Sequence, residues 1–478
     1  MSAARSVARN TLYLSLAQGI RILLGFGLIL YIANAFGVAW QGKFSILLAF
    51  LNVFQVLASL GLPRLITREV ARTPAESNRY FWAGLLGQGV GTVIIALAMY
   101  AAVTAMPYPA DTKAMLTLAI SALPVFTVYS VAAALLRARE AMHYLVYAEV
   151  LSSLAQIGLA VTVLARWQSV MALALIRVGG LGMAAVLVVI ATQRLGLWGR
   201  PRWEPRFAGH LLRGSASFFG MAGLDALLQR MDVLILSVLA GETAAGLYDA
   251  AFQLIKVIMT LVMAFTDALY PVLSRLFVQA RARFSLAVGK ALHYGLLLLL
   301  PAAAGLSVLT PRVIGLLYRR AEYGPAAAVL AVAAWAMVAY LVHMVLTRAL
   351  MAGNRPRAAL VVTVVRVVVG AGAMAVGSRL AGAVGAALGL LTMYGLGSLL
   401  AWWQVRAWSP AFDPLAAARS ALAAGAMAVI VRLLPPWPLA LLVGLGAGLY
   451  LALALALHAF DRHDLRVWRS VWGERWAG

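Results

Sequence analysis

The chain has 478 residues, 63% of them hydrophobic and only 12% charged, with a mean hydropathy of +0.90; so little polar surface cannot clothe a water-soluble globule of this length, and lipid must surround it. The formal charge of +23 is spread over many short connections and forms no single basic face with stacking aromatics, which argues against nucleic acid. The absence of cysteine excludes disulfides, Cys-ligated zinc and thiol chemistry.

Along the chain, Arg5 and Arg9 precede an apolar run that reaches about Phe36 and contains Arg21. That run is too long and too polar for a cleavable signal sequence, so it reads as a retained first span. A spanning helix needs roughly 20 apolar residues. Runs that meet this lie near 11–36, 44–62, 81–106, 114–136, 145–165 and 170–192, giving spans 1 to 6. After the basic segment Gln193 to Arg213, spans 7 to 14 fall near 215–240, 247–271, 291–310, 325–347, 358–378, 383–404, 416–433 and 438–459. Between spans 2 and 3, the segment Gly61 to Tyr80 is amphipathic, with Arg64, Arg68 and Arg72 four residues apart. It reads as a connection lying on anionic headgroups, as does the Arg-rich tail from Asp461.

Lys and Arg divide 26 to 8 between alternate sides, with five inside spans. The rule that cytoplasmic connections collect these residues then puts both termini in the cytoplasm and supports an even number of spans. At an offset of 204 residues, Gly37 meets Gly241, Gly42 meets Gly246 and Phe44 meets Tyr248, in the turns between spans 1 and 2 and between spans 7 and 8. Arg9 with Arg213, Gly19 with Gly223, and Leu23 and Leu24 with Leu227 and Leu228 extend the match. Six spans separate the copies, so both enter the membrane the same way, as in a parallel repeat. The expected fold is an all-α integral membrane protein of about 14 transmembrane helices, in two pseudo-symmetric six-helix lobes plus a C-terminal pair. The N-lobe would cover 1–192, a cytoplasmic linker 193–213, the C-lobe 214–404, and the last pair with its basic tail 405–478.

A charge near the bilayer centre costs about 2.5–3.5 kcal/mol, so buried charges usually face a cavity or a partner. Arg21 lies in span 1, Arg177 in span 6, Asp225, Arg230 and Asp232 in span 7, Asp249, Lys256 and Asp267 in span 8, and Arg366 in span 11. At helical spacing, Ser45, Asn52, Gln55 and Ser59 form one stripe on span 2, and Asp249, Gln253, Lys256, Thr260 and Asp267 form another on span 8. Asp225, Gln229 and Asp232 align on span 7, with Arg230 off the stripe, and Asn10, Gln18 and Arg21 share a side of span 1. The repeat maps Ser45 to Asp249, Asn52 to Lys256 and Arg21 to Asp225, which predicts that spans 1, 2, 7 and 8 line one polar cavity. The plainer alternative is a set of interhelical ion pairs, such as Asp232 with Lys256, that only fix register. Arg21 has no acid on spans 1 or 2 and is the leading ligand-facing cation. Arg177 and Arg366 lie about two turns from a helix end and could instead snorkel to the headgroups.

No external connection is large enough to carry paired acids or histidines for acid–base work, the six histidines show no metal-ligand spacing, and there is no nucleotide-binding GxxxxGK[ST] segment. An enzyme is disfavoured, no catalytic or metal residue is assigned and no cofactor is expected; energy would come from an ion gradient, the membrane potential or the substrate gradient.

The chain resembles the polysaccharide-biosynthesis family of oligosaccharide flippases, in the superfamily that also holds multidrug and peptidoglycan-precursor exporters. The resemblance is carried by Arg9-Asn10, by Gly37 with Gly42-Lys43-Phe44, by Gly61-Leu62 followed by Thr67-Arg68-Glu69, and further on by Leu136-Arg137-Ala138, Ala352-Gly353-Asn354 and the small-residue run Gly382 to Gly389. It implies an alternating-access flippase of the cytoplasmic (inner) membrane, carrying a polyprenyl-diphosphate-linked oligosaccharide outward for cell-surface polysaccharide. The diphosphate would meet Arg21, Gln18, Asn52, Gln55, Arg230, Gln253, Lys256, Arg177 and Arg366, because arginine forks bind phosphate bidentately. The acids of spans 7 and 8 depart from a purely basic cavity, so Asp225, Asp232 or Asp249 would couple H⁺ or Na⁺. Anionic lipids and the polysaccharide polymerase or glycosyltransferase machinery are the implied partners. The alternatives are a peptidoglycan lipid-precursor flippase, an ion-coupled multidrug exporter, or a membrane enzyme of polysaccharide assembly.

Overall fold

A computed structural model describes residues 19, 23–408 and 410–459. Arg21, Gln18, Asn10 and the tail from Asp461 lie outside the described residues. The described chain is helical from end to end, and its contacts divide it into two compact units, Met1–Gly246 and Leu247–Gly478.

In the first unit, helix α1 is Leu23–Phe36. It is followed by α2 (Val38–Ala58), α3 (Leu62–Arg72), α4 (Ser77–Ala105), α5 (Ala110–Ala119), α6 (Ala122–Ala138), α7 (Met142–Leu159), α8 (Ala165–Trp167), α9 (Val170–Arg194) and α10 (Pro205–Leu228). The helix α11 (Met231–Gln279) crosses into the second unit, which continues with α12 (Arg281–Leu317), α13 (Ala326–Ala352), α14 (Pro356–Val405), α15 (Pro414–Leu433) and α16 (Leu439–Ala456). Among the described residues, every predicted span falls on one or two of these helices, span 1 from Leu23 onward.

Among the described residues, eleven helices are long and apolar enough to cross a membrane. Two of these are double. A straight helix of the 49 residues in α11 would run about 73 Å, against a hydrocarbon core of about 30 Å. The helix breaks at Gly241, ten residues after its start, and the 50-residue α14 breaks at Ala381–Gly382 into two lengths that can each span. Pro301 and Pro311 lie inside α12 without ending it. Large apolar side chains such as Ile94, Leu97, Leu298, Val368 and Leu380 are left facing outward, as a lipid belt requires.

Sequence explains where several helices stop. After α9, Gly196 takes φ 63°, and the Leu197 amide reaches back to the Thr192 carbonyl at 3.0 Å, a Schellman closure that uses glycine's freedom at positive φ. After α13, Asn354 takes φ 57° and the Arg355 amide bonds the Leu350 carbonyl at 3.0 Å, ahead of Pro356. The motif Ala352-Gly353-Asn354 is thus a helix stop. Gly61, at φ 71°, turns the chain from α2 into α3 and lies against α10, where an added Cβ would come 2.5 Å from the Phe219 nitrogen.

The short α3 is amphipathic as its arginine spacing indicates, with Leu62, Leu65, Ile66 and Val70 buried and Arg64, Arg68 and Arg72 outward. The segment predicted as a linker is tied to α4. The Asn78 Oδ1 accepts the Gly199 N–H at 2.8 Å, Trp198 stacks on Phe81 at 4.9 Å, and Arg79 pairs with Glu204 at 2.8 Å.

The repeat at offset 204 is visible in the backbone. Gly37 has φ 92° and ψ −177°, and Gly241 has φ 82° and ψ −177°, a region open essentially to glycine alone. Five residues on, Gly42 faces Gly246. A Cβ on Gly42 would lie 1.9 Å from the Glu242 carbonyl oxygen, and one on Gly246 would lie 2.1 Å from that of Val38. Val38 and Glu242 are themselves 204 apart, so the contact is reciprocal.

Candidate functional site

Three members of the predicted stripe on span 8, Asp249, Gln253 and Lys256, join on one face of α11. The Gln253 side-chain amide donates to both Asp249 oxygens, at 3.0 and 3.1 Å, and the Lys256 ammonium stands 3.5 Å from Asp249. The 3.6-residue period stacks positions i, i+4 and i+7, which brings these three together on one helix. Asp249 is 4% exposed, whereas the Lys256 side chain is 32% exposed and stands over the Phe252 ring at 5.5 Å. The carboxylate is therefore the anchored member and the ammonium the accessible one. Lys256 pairs along its own helix with Asp249, while Asp267, at the far end of the stripe, pairs with Arg348 of α13.

The equivalent positions on α2 are Ser45 and Asn52. The Ser45 hydroxyl and the Asn52 Oδ1 are buried without a hydrogen-bond partner among the described residues. Gln55 is half-buried, and Ser59 donates to the Val56 carbonyl at 2.6 Å. The first copy thus carries neutral polar groups where the second carries an ion pair.

The span 7 stripe is interrupted, because α10 ends at Leu228 and α11 begins at Met231, with Gln229 and Arg230 in the turn. Asp225 and Gln229 are exposed and Arg230 is half-buried. Asp232 is 7% exposed and accepts the Val233 N–H at 2.8 Å.

Arg177 and Arg366 turn into their bundles. The Arg177 guanidinium donates to Gln156 of α7 at 2.9 Å. Arg366 lies over the Tyr394 ring at 5.3 Å, and a Cβ on Gly397 would come 2.7 Å from its Cδ and 2.8 Å from His343 Nδ1. The side chains around Arg366 escape a reading confined to charges and amides, although Tyr340, His343 and Thr347 form a stripe at spacings of three and four on α13.

A second polar cluster belongs to the first unit. Lys43, at the start of α2, pairs with Asp111 and stands 3.6 Å from Glu242, which also accepts a hydrogen bond from Thr112. Nearby, Tyr108 and Ser237 share a hydrogen bond of 2.8 Å. Burial pushes the Tyr108 hydroxyl above the usual tyrosine range, against the opposing pull of Ser237, so it stays protonated. Among the described residues, no group of three or more acids or histidines could hold a metal ion.

This frame of paired helices, with charges turned inward, is a membrane-transporter fold. Solved structures share it. A lipid II flippase MurJ in an inward closed conformation superposes with a TM-score of 0.76 at 12% identity, covering 95% of this chain and 99% of that one. An inward-facing multidrug-resistance MATE transporter of the MOP superfamily gives 0.65 at 14% identity, over 84% of this chain and 100% of that one. A MOP superfamily transporter from Pyrococcus furiosus, described as having a binding pocket of reversed polarity, gives 0.54 at 13%, over 84% and 95%. No curated protein sequence matches this chain. The profile of the polysaccharide biosynthesis protein family matches residues 7–277, and the chain belongs to that family.

Proposed function

We propose that the protein is a flippase that moves a polyprenyl-diphosphate-linked oligosaccharide from the cytoplasmic to the outer face of the cytoplasmic membrane by alternating access. The observation that carries the reading is the polar face of α11 in a chain of this family: a half-buried Lys256 set beside a buried Asp249 within a membrane span. A cation held in place by a carboxylate can exchange part of its pairing for a phosphate as cargo enters. Arg21, Gln18, Asn52, Gln55 and Gln253 would complete the diphosphate and sugar contacts, and Asp225, Asp232 or Asp249 would take up H⁺ or Na⁺ on return. The lobes would be 1–192 and 214–404, joined by 193–213, with both termini cytoplasmic and basic connections on anionic lipid. The chain would carry out no bond-making or bond-breaking chemistry.

Deletion should abolish surface polysaccharide while intact lipid-linked repeat units accumulate on the cytoplasmic face, and Arg21→Ala should do the same with normal membrane insertion. Accumulation of shorter, unfinished glycans would mark an enzyme of assembly instead. The shape shared with the lipid II flippase favours a second reading, a peptidoglycan-precursor flippase. Accumulation of that precursor, with surface polysaccharide unaffected, would select it.

A further inference from the structure

Within the first unit, the short helix α3 is fastened on three sides. The Thr67 hydroxyl donates to the Ala134 carbonyl of α6 at 3.2 Å, Ile66 lies against Gly84 of α4, and Leu65 lies against Gly214 of α10. Its apolar side chains, Leu62, Leu65, Ile66 and Val70, are at most 4% exposed. A helix that lies on a membrane lowers its apolar face into the lipid. The apolar face of α3 is taken up by protein, so its arginines are left to meet a hydrated anion.

Those arginines form a row. Arg64, Arg68 and Arg72 recur every four residues, about 6 Å apart along the helix axis. All three are exposed, Arg68 by 48% and Arg72 by 67% of the side chain, so an anion reaches them without displacing structure. Glu69 stands 2.7 Å from Arg68 and 3.6 Å from Arg72, which makes one carboxylate shared between two guanidiniums. Arg64 meets no acceptor among the described residues. Exposed pairs of this kind are weak and yield to a better acceptor. A guanidinium fork grips phosphate with two parallel bonds, and two forks one turn apart match the two phosphoryl groups of a diphosphate. The row also has a telling place. Arg68 stands over the Phe218 ring of α10 at 5.5 Å, and a Cβ on Gly61 would come 2.8 Å from Phe218 Cβ. Since α3 follows span 2 and Phe218 belongs to span 7, the row lies where two of the spans expected to line the cavity meet.

We propose that Arg64, Arg68 and Arg72 form a loading site that receives the diphosphate of lipid-linked cargo at the cytoplasmic mouth, before the cargo enters the cavity. The motif Thr67-Arg68-Glu69 then divides its work: Thr67 ties the helix to α6, Arg68 binds, and Glu69 holds the forks until cargo displaces it. The inference rests on the flippase reading for the identity of the cargo and for the face on which it arrives.

The test uses the purified full-length chain with farnesyl diphosphate, a short water-soluble prenyl diphosphate, and farnesol as its uncharged counterpart. Farnesyl diphosphate, and not farnesol, should protect Arg64, Arg68 and Arg72 from phenylglyoxal, read residue by residue by mass spectrometry. Arg64→Gln and Arg68→Gln should each weaken binding about tenfold, the loss of one bidentate contact. Glu69→Gln removes the competing carboxylate and should tighten binding about two- to fivefold, which a row of merely solvated charges would not show. Because the apolar face of α3 is untouched, all three variants should unfold thermally like the wild type. Unprotected arginines, or equal affinity in the Gln variants, would overturn the site. So would protection by phosphatidylglycerol nanodiscs, against phosphatidylcholine ones, with none from farnesyl diphosphate, since that pattern marks a headgroup contact. The failures are separable. Unprotected arginines with lipid-linked units still accumulating on deletion remove the loading site alone, whereas protected arginines with no accumulation remove the flippase reading alone.

Discussion

Asp249 and Lys256 illustrate how one helix can make a polar site affordable in lipid. The carboxylate is buried, accepts two bonds from Gln253 and is opposed by the ammonium at 3.5 Å. Removing one member of a buried pair leaves the other without its counter-charge, while removing both is far milder. Lys256→Met should therefore destabilise the purified protein by roughly 1–3 kcal/mol, between the values for exposed and fully buried pairs because the lysine is one-third exposed. The double variant with Asp249→Asn should recover much of that loss, as read by thermal unfolding in detergent through a double-mutant cycle. This trio was legible in sequence because its members share one helix and one period. The contacts of Arg366 with Tyr394 and of Arg348 with Asp267 were not, because packing brings those residues together and no spacing rule encodes it. Arg177 and Arg366 could equally have snorkelled from sequence; the small residues Gly180 and Gly397, against which Gln156 and Arg366 pack, give room to turn inward.

At the scale of elements, span lengths were readable because an apolar run has to match the membrane, whatever its partners. Breaks within spans were not. The turns at 120–121 and 229–230 carry no Gly or Pro and are set by neighbouring helices, whereas Pro301 and Pro311, which look like stops, are absorbed inside α12. The reading that joined Asp225, Gln229 and Asp232 on one straight span met such a break. Close helix approach can be tested with glycines. Gly42→Ala and Gly246→Ala each put a methyl within about 2 Å of a backbone oxygen and should each cost on the order of 1–3 kcal/mol or more. Gly425→Ala, in α15 with nothing within 4 Å, should be neutral or stabilising by about 0.5–1 kcal/mol. Melting temperatures of the three variants side by side would check the contrast.

At the scale of the whole molecule, the charge count puts Arg320 and Arg357 on opposite faces of the membrane, while Lys43, Asp111 and Lys113 should share one face. The contact between Lys43 and Asp111 agrees with the latter assignment. Because the chain has no cysteine, a single introduced thiol reports its own side without background. In intact cells, a membrane-impermeant maleimide should label Arg320→Cys and leave Arg357→Cys untouched until the membrane is opened. The reverse pattern would invert the topology. Family membership was legible from short turn motifs, two of which the structure resolves into glycine conformations. The nature of the cargo is not written in the fold, since transporters with different names share it.

The facing glycines Gly42 and Gly246 carry a consequence for how this sequence can change. Each sits where the other's backbone passes, so any side chain gained in one copy meets an unaltered partner in the other. At this crossing a change on either helix must suit the other at once, so Gly42 and Gly246 can vary only in concert.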